Sequence, residues 1–165
     1  GSYPTSYIPT YGVSQTRAKD TITTPTLSND ILPSSGLSVM FEVDIEQSDQ
    51  NFDDLFNLAG SVYGFRWEGR ANGQVRVQGN VRISGDEPNA AIVGTTNNKK
   101  FAATFTPTQI KVYTDGVLKG TFNGSYGIDF DTIRNNIQQS ALREKQILAF
   151  PTALTDSECI ALTTI

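Results

Sequence analysis

Between residues 37 and 46 the side chains alternate in character without a break. Leu37, Val39, Phe41, Val43 and Ile45 share one parity, and Ser38, Met40, Glu42, Asp44 and Glu46 share the other. Successive side chains of a strand point to opposite faces, so period two over ten residues predicts a strand with one buried face. The pattern returns at Val75, Val77, Val81 and Ile83, set against Gln74, Arg76, Gln78, Asn80 and Arg82, with Gly79 as a bulge or bend. It returns again at Phe101, Ala103 and Phe105 before Pro107 interrupts it. Further strands are expected over residues 55–58, 61–67, 110–113 and 146–150.

Two dipeptides predict hairpins. Asp115-Gly116 joins residues 111–114 to 117–119, and Asn72-Gly73 joins 65–70 to 74–78. Both supply the positive φ angles of a type I′ turn. About ten short strands with turns at near-regular spacing, and no alternation of strand with helix, predict a sandwich or barrel. One helix signal stands out. Thr155-Asp156-Ser157-Glu158 is a capping box, in which the Thr hydroxyl accepts the N–H of Glu158 while its carboxylate reaches back to the Thr N–H. Leu154 and Cys159 are suited to the accompanying hydrophobic staple. Residues 131–145 read as strand and loop, with Asp131 as an alternative cap for a helix through Ile137.

Composition narrows the function classes. The 165 residues suit one domain spanning 1–165, with 1–20 as its lead-in. The net charge of −4 argues against nucleic acid, whose binding needs clustered Lys and Arg, and against an anionic membrane surface. No apolar run approaches the roughly 20 residues that span a bilayer. The polar start, Gly1-Ser2-Tyr3-Pro4, shows no signal peptide. The chain has no His, which removes the Ser-His-Asp triad, the Cys-His pair and His-ligated zinc. Cys159 is the single cysteine, so no internal disulfide forms, and a small buried apolar role suits it.

Both ends of the chain resemble a known group. Thr5-Ser6-Tyr7-Ile8-Pro9-Thr10, followed by Thr16-Arg17-Ala18-Lys19-Asp20, resembles the entry segment of concanavalin A/laminin-G-like domains in phage tail and fibre proteins. Residues Leu148 to Glu158, with Phe150 and Leu154-Thr155-Asp156-Ser157-Glu158, resemble the close of the same domains. The strand at 100–105 and the hairpin around Asp115-Gly116 are similar to the group's late strands. The resemblance implies an all-β, two-sheet antiparallel jelly roll with a short C-terminal helix, its N-terminal strand near its C-terminal one. It also implies a virion-surface, extracellular setting, no catalysis and no universal binding motif.

Three sets of residues carry candidate chemistry. Glu42-x-Asp44-x-Glu46 resembles the catalytic strand of glycoside hydrolase family 16, in which the first Glu is the nucleophile, the Asp orients it and the last Glu is the acid/base. On one strand the outer pair lies roughly 7 Å apart at Cβ, and twist brings that towards the roughly 5.5 Å of retaining hydrolysis. A solvated acidic face is the simpler reading, because the motif lies near the start of the chain and the chain has one Trp. Asp44, Glu46, Asp49, Asp53 and Asp54 offer the oxygen ligands Ca²⁺ prefers, without EF-hand spacing. Trp67 shares parity with Tyr63 and Phe65 and is expected in the core, and the opposite parity is expected to expose Arg66 and Glu68. If Glu42, Asp44, Arg66, Glu68 and Arg76 share one sheet, they form a mixed-charge surface able to fix sugar hydroxyls or a partner's acids. The resulting expectation is a non-catalytic module, without a cofactor, that recognises a cell-surface glycan or receptor. The alternative is a structural or decoration domain that binds virion proteins or its own copies, a homotrimer included.

Overall fold

The computed structural model describes residues 27–28, 30–47, 53–134 and 141–165. The lead-in at 1–20, all of Asp49, the side chains of Glu46 and Asp53, and residues 135–140, including the proposed helix end at Ile137, lie outside the described residues. Eleven strands and one helix are described: β1 (Leu37–Gln47), β2 (Asp53–Ala59), β3 (Gly64–Gly69), β4 (Gln74–Asn80), β5 (Arg82–Gly85), β6 (Asn89–Thr95), β7 (Lys100–Thr106), β8 (Gln109–Thr114), β9 (Val117–Tyr126), β10 (Thr132–Arg134), β11 (Ala141–Phe150) and α1 (Asp156–Thr163). They form a first sheet in the order β11-β1-β7-β8-β9-β5 and a second in the order β10-β2-β3-β4-β6. Every pairing is antiparallel.

The alternation seen in the sequence is what closes the two sheets on each other. Val39, Phe41 and Val43 of β1, Phe101 and Phe105 of β7, and Phe65 and Trp67 of β3 all fall in one buried core. Aromatic rings stitch the layers. Phe41 of the first sheet stacks on Phe56 of the second with centroids 4.7 Å apart, and meets Trp67 edge-on at 5.2 Å. Phe65 and Phe105 meet edge-on at 5.0 Å. Such offset and edge-to-face contacts add to the area these rings bury.

A second, smaller core lies on the outside of the first sheet. There α1 covers Met40, Ala102 and Tyr113 with Cys159, and Leu148 and Leu154 pack against them. Strand β7 is therefore buried on both faces, which explains why Phe101 to Phe105, Thr104 included, are all buried. The capping box forms as the sequence predicts, with Thr155 at the cap and Glu158 returning its carboxylate. The Asp115-Gly116 turn has both residues at positive φ, 44° and 76°. The Asp115 carboxylate also accepts from the backbone N–H groups of Lys99 and Lys100, at 3.1 and 2.8 Å, and so fixes the preceding connection.

Three local expectations are corrected. At Asn72-Gly73 only Gly73 has positive φ, and Arg70 N–H reaches Gln74 O at 2.9 Å, so this is a four-residue loop instead of a two-residue type I′ turn. The run from Val75 to Ile83 is not one strand. Its first part, β4, belongs to the second sheet and its last part, β5, to the first. Val81 is buried where the chain crosses between layers, while Ile83 faces solvent. Gly79 lies within β4, and the irregularities of that strand fall at Val75/Arg76 and Val77/Gln78. The 61–67 segment becomes strand only from Gly64, because Gly60 N–H bonds to Tyr63 O at 2.8 Å and turns the chain first.

Candidate functional site

The five residues singled out from the sequence divide between the sheets, so the single surface expected of them does not form. Glu42 and Asp44 stand on β1 of the first sheet; Arg66 and Glu68 on β3 and Arg76 on β4 belong to the second. On β1 the acids are met by lysines. Lys145 Nζ lies 3.0 Å from Asp44 Oδ2 and 3.6 Å from Glu42 Oε1, and Lys99 Nζ lies 3.1 Å from Asp44 Oδ1. Hydrogen bonds from Lys145 and then Lys99 hold the Asp44 carboxyl below its ordinary range. Among the described residues no three His, Cys, Asp or Glu side chains gather as metal ligands.

The second sheet assembles something else. Its strands are in register as rungs: Asp54–Glu68–Arg76, then Asn57–Arg66–Gln78, then Ala59–Gly64–Asn80. Residues two apart on a strand share a face, so Arg66 and Glu68 stand opposite in direction to Phe65 and Trp67, which point into the core. The outer face thus grades from charged to amide-bearing to small side chains.

Glu68 is the anchor. Its side chain has 0% exposure, although it lies on the outer face. Arg76 Nε donates to Glu68 Oε2 at 2.6 Å, and Arg66 Nε stands 2.8 Å from Oε1, close enough for an ion pair though not aligned as a hydrogen bond. Asp54 Oδ1 is 3.6 Å from Arg66 Nε. A carboxylate withdrawn from water is costly unless paired, and two guanidinium groups meet that need. Arg66 also donates from Nη2 to Gln78 Oε1 at 3.1 Å. Its guanidinium is consequently held in place while its side chain remains 37% exposed.

Beside Arg66 the face hollows into a depression of about 360 Å³, lined by Asn57, Val62, Tyr63, Arg66, Gln78 and Asn80. The hollow exists because Ala59 and Gly64 put little bulk on the third rung. One wall is the turn before β3, where Asn80 Nδ2 donates to the Val62 carbonyl at 3.3 Å. Tyr63 is seated by Gly127, since a Cβ there would come 2.1 Å from the ring. The arrangement joins preorganised donors and acceptors to a small apolar wall, as small-ligand sites do.

Of the residues singled out from the sequence, Arg66 borders this depression and pairs with Glu68, which Arg76 also meets; Asn57, Tyr63, Gln78 and Asn80 border it and were not singled out. Gln78 and Asn80 were legible as outward by parity. Asn57 was hidden inside the apolar run 55–58. Trp67 is fully buried, as its parity predicted.

No protein-family model matches the chain, and no curated protein matches it. Its fold is similar to that of several solved structures. A Trypanosoma rangeli sialidase in complex with a difluoro-KDN is 19% identical, with a TM-score of 0.59 over 80% of this chain and 23% of that one. The CBM40 of a Ruminococcus gnavus IT-sialidase, bound to α2,3-sialyllactose, is 16% identical, with a TM-score of 0.55 over 87% of this chain and 92% of that one. A heptameric SAP-like pentraxin from Limulus polyphemus is 12% identical, with a TM-score of 0.52 over 86% and 80%. The chain spans less than a quarter of the length of the sialidases it matches. What these likenesses share is architecture: the chain is an all-β, two-sheet antiparallel jelly roll with one short helix, a concanavalin-like fold.

Proposed function

We propose that the chain is a single non-catalytic recognition domain that binds a short glycan on the outer face of its second sheet. The observation that carries this reading is the Glu68-centred pair of arginines beside a depression bordered by amides and an apolar wall. Sugars present hydroxyls that both donate and accept, and Asn and Gln side chains do the same. Holding Arg66 before the ligand arrives lowers the ordering cost of binding. The fold likeness to a CBM40 bound to α2,3-sialyllactose supports the same reading, because that partner is matched over nearly its whole length. The lysines paired with Glu42 and Asp44 argue against a hydrolase centre on β1. The resemblance of the chain's two ends to phage tail and fibre domains supports display on a virion surface, outside the cell. Glycan-array binding by the parent that is lost in Asn57→Ala and Gln78→Ala, both still folded, is the expected result. Binding that survives both changes would remove this face from consideration.

A second reading rests on the sandwich edge formed by β5 and β6. Ile83 and Ile92 are 62% and 58% exposed there, and exposed apolar side chains on edge strands suit self-association or contact with a virion partner. Sedimentation equilibrium at micromolar concentration tests it: an oligomer dispersed by Ile83→Lys and Ile92→Lys supports the reading, and a monomeric parent rejects it.

A further inference from the structure

We infer that the ligand of this face carries an anionic group, a carboxylate or a sulfate, received between Arg134 and Arg66 above Asn57. The inference rests on the glycan reading above and names the class of glycan.

It begins with register. Strand β10 pairs with β2 so that Arg134 stands opposite Asn57, and Asn57 stands opposite Arg66. Arg134, Asn57 and Arg66 are therefore one rung of three adjacent strands and share its outer direction. Neighbouring strands lie roughly 4.8 Å apart, so the two arginines flank the amide at a spacing their long side chains bridge.

Charge on this rung and its neighbour, Asp54–Glu68–Arg76, is not balanced. Asp54 and Glu68 supply two carboxylates, which face Arg66 and Arg76. Arg134 is exposed, and it takes part in none of the ion pairs formed among the described residues. The group of five ionised side chains thus carries one net positive charge, in a chain whose net charge is −4. A local excess of the opposite sign to the whole marks where an anion is drawn.

Donor geometry agrees. Arg66 presents Nε to Glu68 and one Nη2 N–H to Gln78, and no hydrogen bond among the described residues uses its Nη1 N–H groups. A guanidinium offers the paired N–H groups that match a carboxylate or sulfate. Asn57 between the two arginines adds an amide donor. The depression beside Arg66 then takes the body of the sugar, and Val62 and Tyr63 meet its C–H surface.

The test compares lactose, 3′-sialyllactose, 3′-sulfolactose and a uronic-acid disaccharide by titration calorimetry with the intact chain, at 50 and 500 mM NaCl. The expected result is that at least one acidic sugar binds about 10- to 100-fold more tightly than lactose, the size of a charge-assisted hydrogen-bond contribution. That preference falls at high salt. Arg134→Gln abolishes the preference, bringing the acidic sugar down to the affinity of lactose, while Arg134→Lys retains part of it. The sialyl, uronate and sulfate arms separate carboxylate from sulfate recognition. Lactose binding that equals or exceeds acidic-sugar binding, or indifference to Arg134→Gln, overturns the anionic class and leaves the glycan reading standing. Absence of binding across the panel, and across a broad glycan array, overturns both. Arg134 lies exposed on an edge strand, so an unchanged melting temperature for Arg134→Gln shows that the variant is folded.

Discussion

Arg76 Nε donates to Glu68 Oε2 across 2.6 Å, and the Glu68 side chain that accepts it has no exposure to solvent. This contact joins adjacent strands of the second sheet and supports Arg66 from below. It makes one acid both a structural element and the foundation of the proposed site.

Removing that acid leaves two guanidinium groups without their shared partner. Breaking a buried ion pair costs about 3–5 kcal/mol. Here Arg66 and Arg76 reach water in part, so Glu68→Ala is expected near the lower end, about 3 kcal/mol. Urea denaturation followed by Trp67 fluorescence measures it. A loss under about 1 kcal/mol, the range of exposed ion pairs, would show that Glu68 does not anchor the face.

The helix is tied to the first sheet through Asp156. Tyr113 Oη donates to Asp156 Oδ1 at 2.9 Å, and Lys111 Nζ reaches the same oxygen at 2.6 Å. Tyr113→Phe is expected to cost about 1 kcal/mol, an ordinary net hydrogen bond. Thr155→Ala, which removes the cap, is expected to cost about 1 kcal/mol as well. The two changes act on one short segment, so the double variant is expected to lose less than the sum. Thermal melts of the three variants decide this.

Acid sensitivity follows from the same carboxylates. Hydrogen bonds from Lys111 and then Tyr113 lower the Asp156 pKa from 3.8, and those from Thr155 lower the Glu158 pKa from 4.5. Asp44 is lowered from 3.8 by Lys145 and Lys99. A group whose folded pKa lies below its unfolded value contributes stability that is complete above the unfolded value. That contribution disappears as pH falls through the folded one. The melting temperature is therefore expected to hold steady at neutral pH and to fall below about pH 4. Asp156→Asn is expected to flatten that fall; an unchanged acid limb would contradict the assignment.

Cys159 is expected to be inert in the folded chain. Burial first, and the nearby Asp156 and Glu158 charges next, push its thiol up to about 11, so little thiolate exists at neutral pH. Ellman's reagent at pH 8 is expected to react only after denaturant is added. Prompt reaction without denaturant would mean that α1 opens readily.

Local pattern alone determined which side chains face inward. Phe41, Phe65, Trp67, Phe101 and Phe105 were legible as core from period two, and Thr155 with Glu158 as a helix start. Each depends on neighbours a few positions away, and short-range geometry suffices for them. Which strands lie side by side is a different matter, because alternation looks the same whichever partner a strand chooses. Tertiary pairing separated Glu42 and Asp44 from Arg66, Glu68 and Arg76, and split β4 from β5 at Val81. It also brought Arg134 to within two strands of Arg66 across 68 positions of sequence. Such contacts are chosen by burial of the whole apolar surface at once, and no window along the chain contains that information.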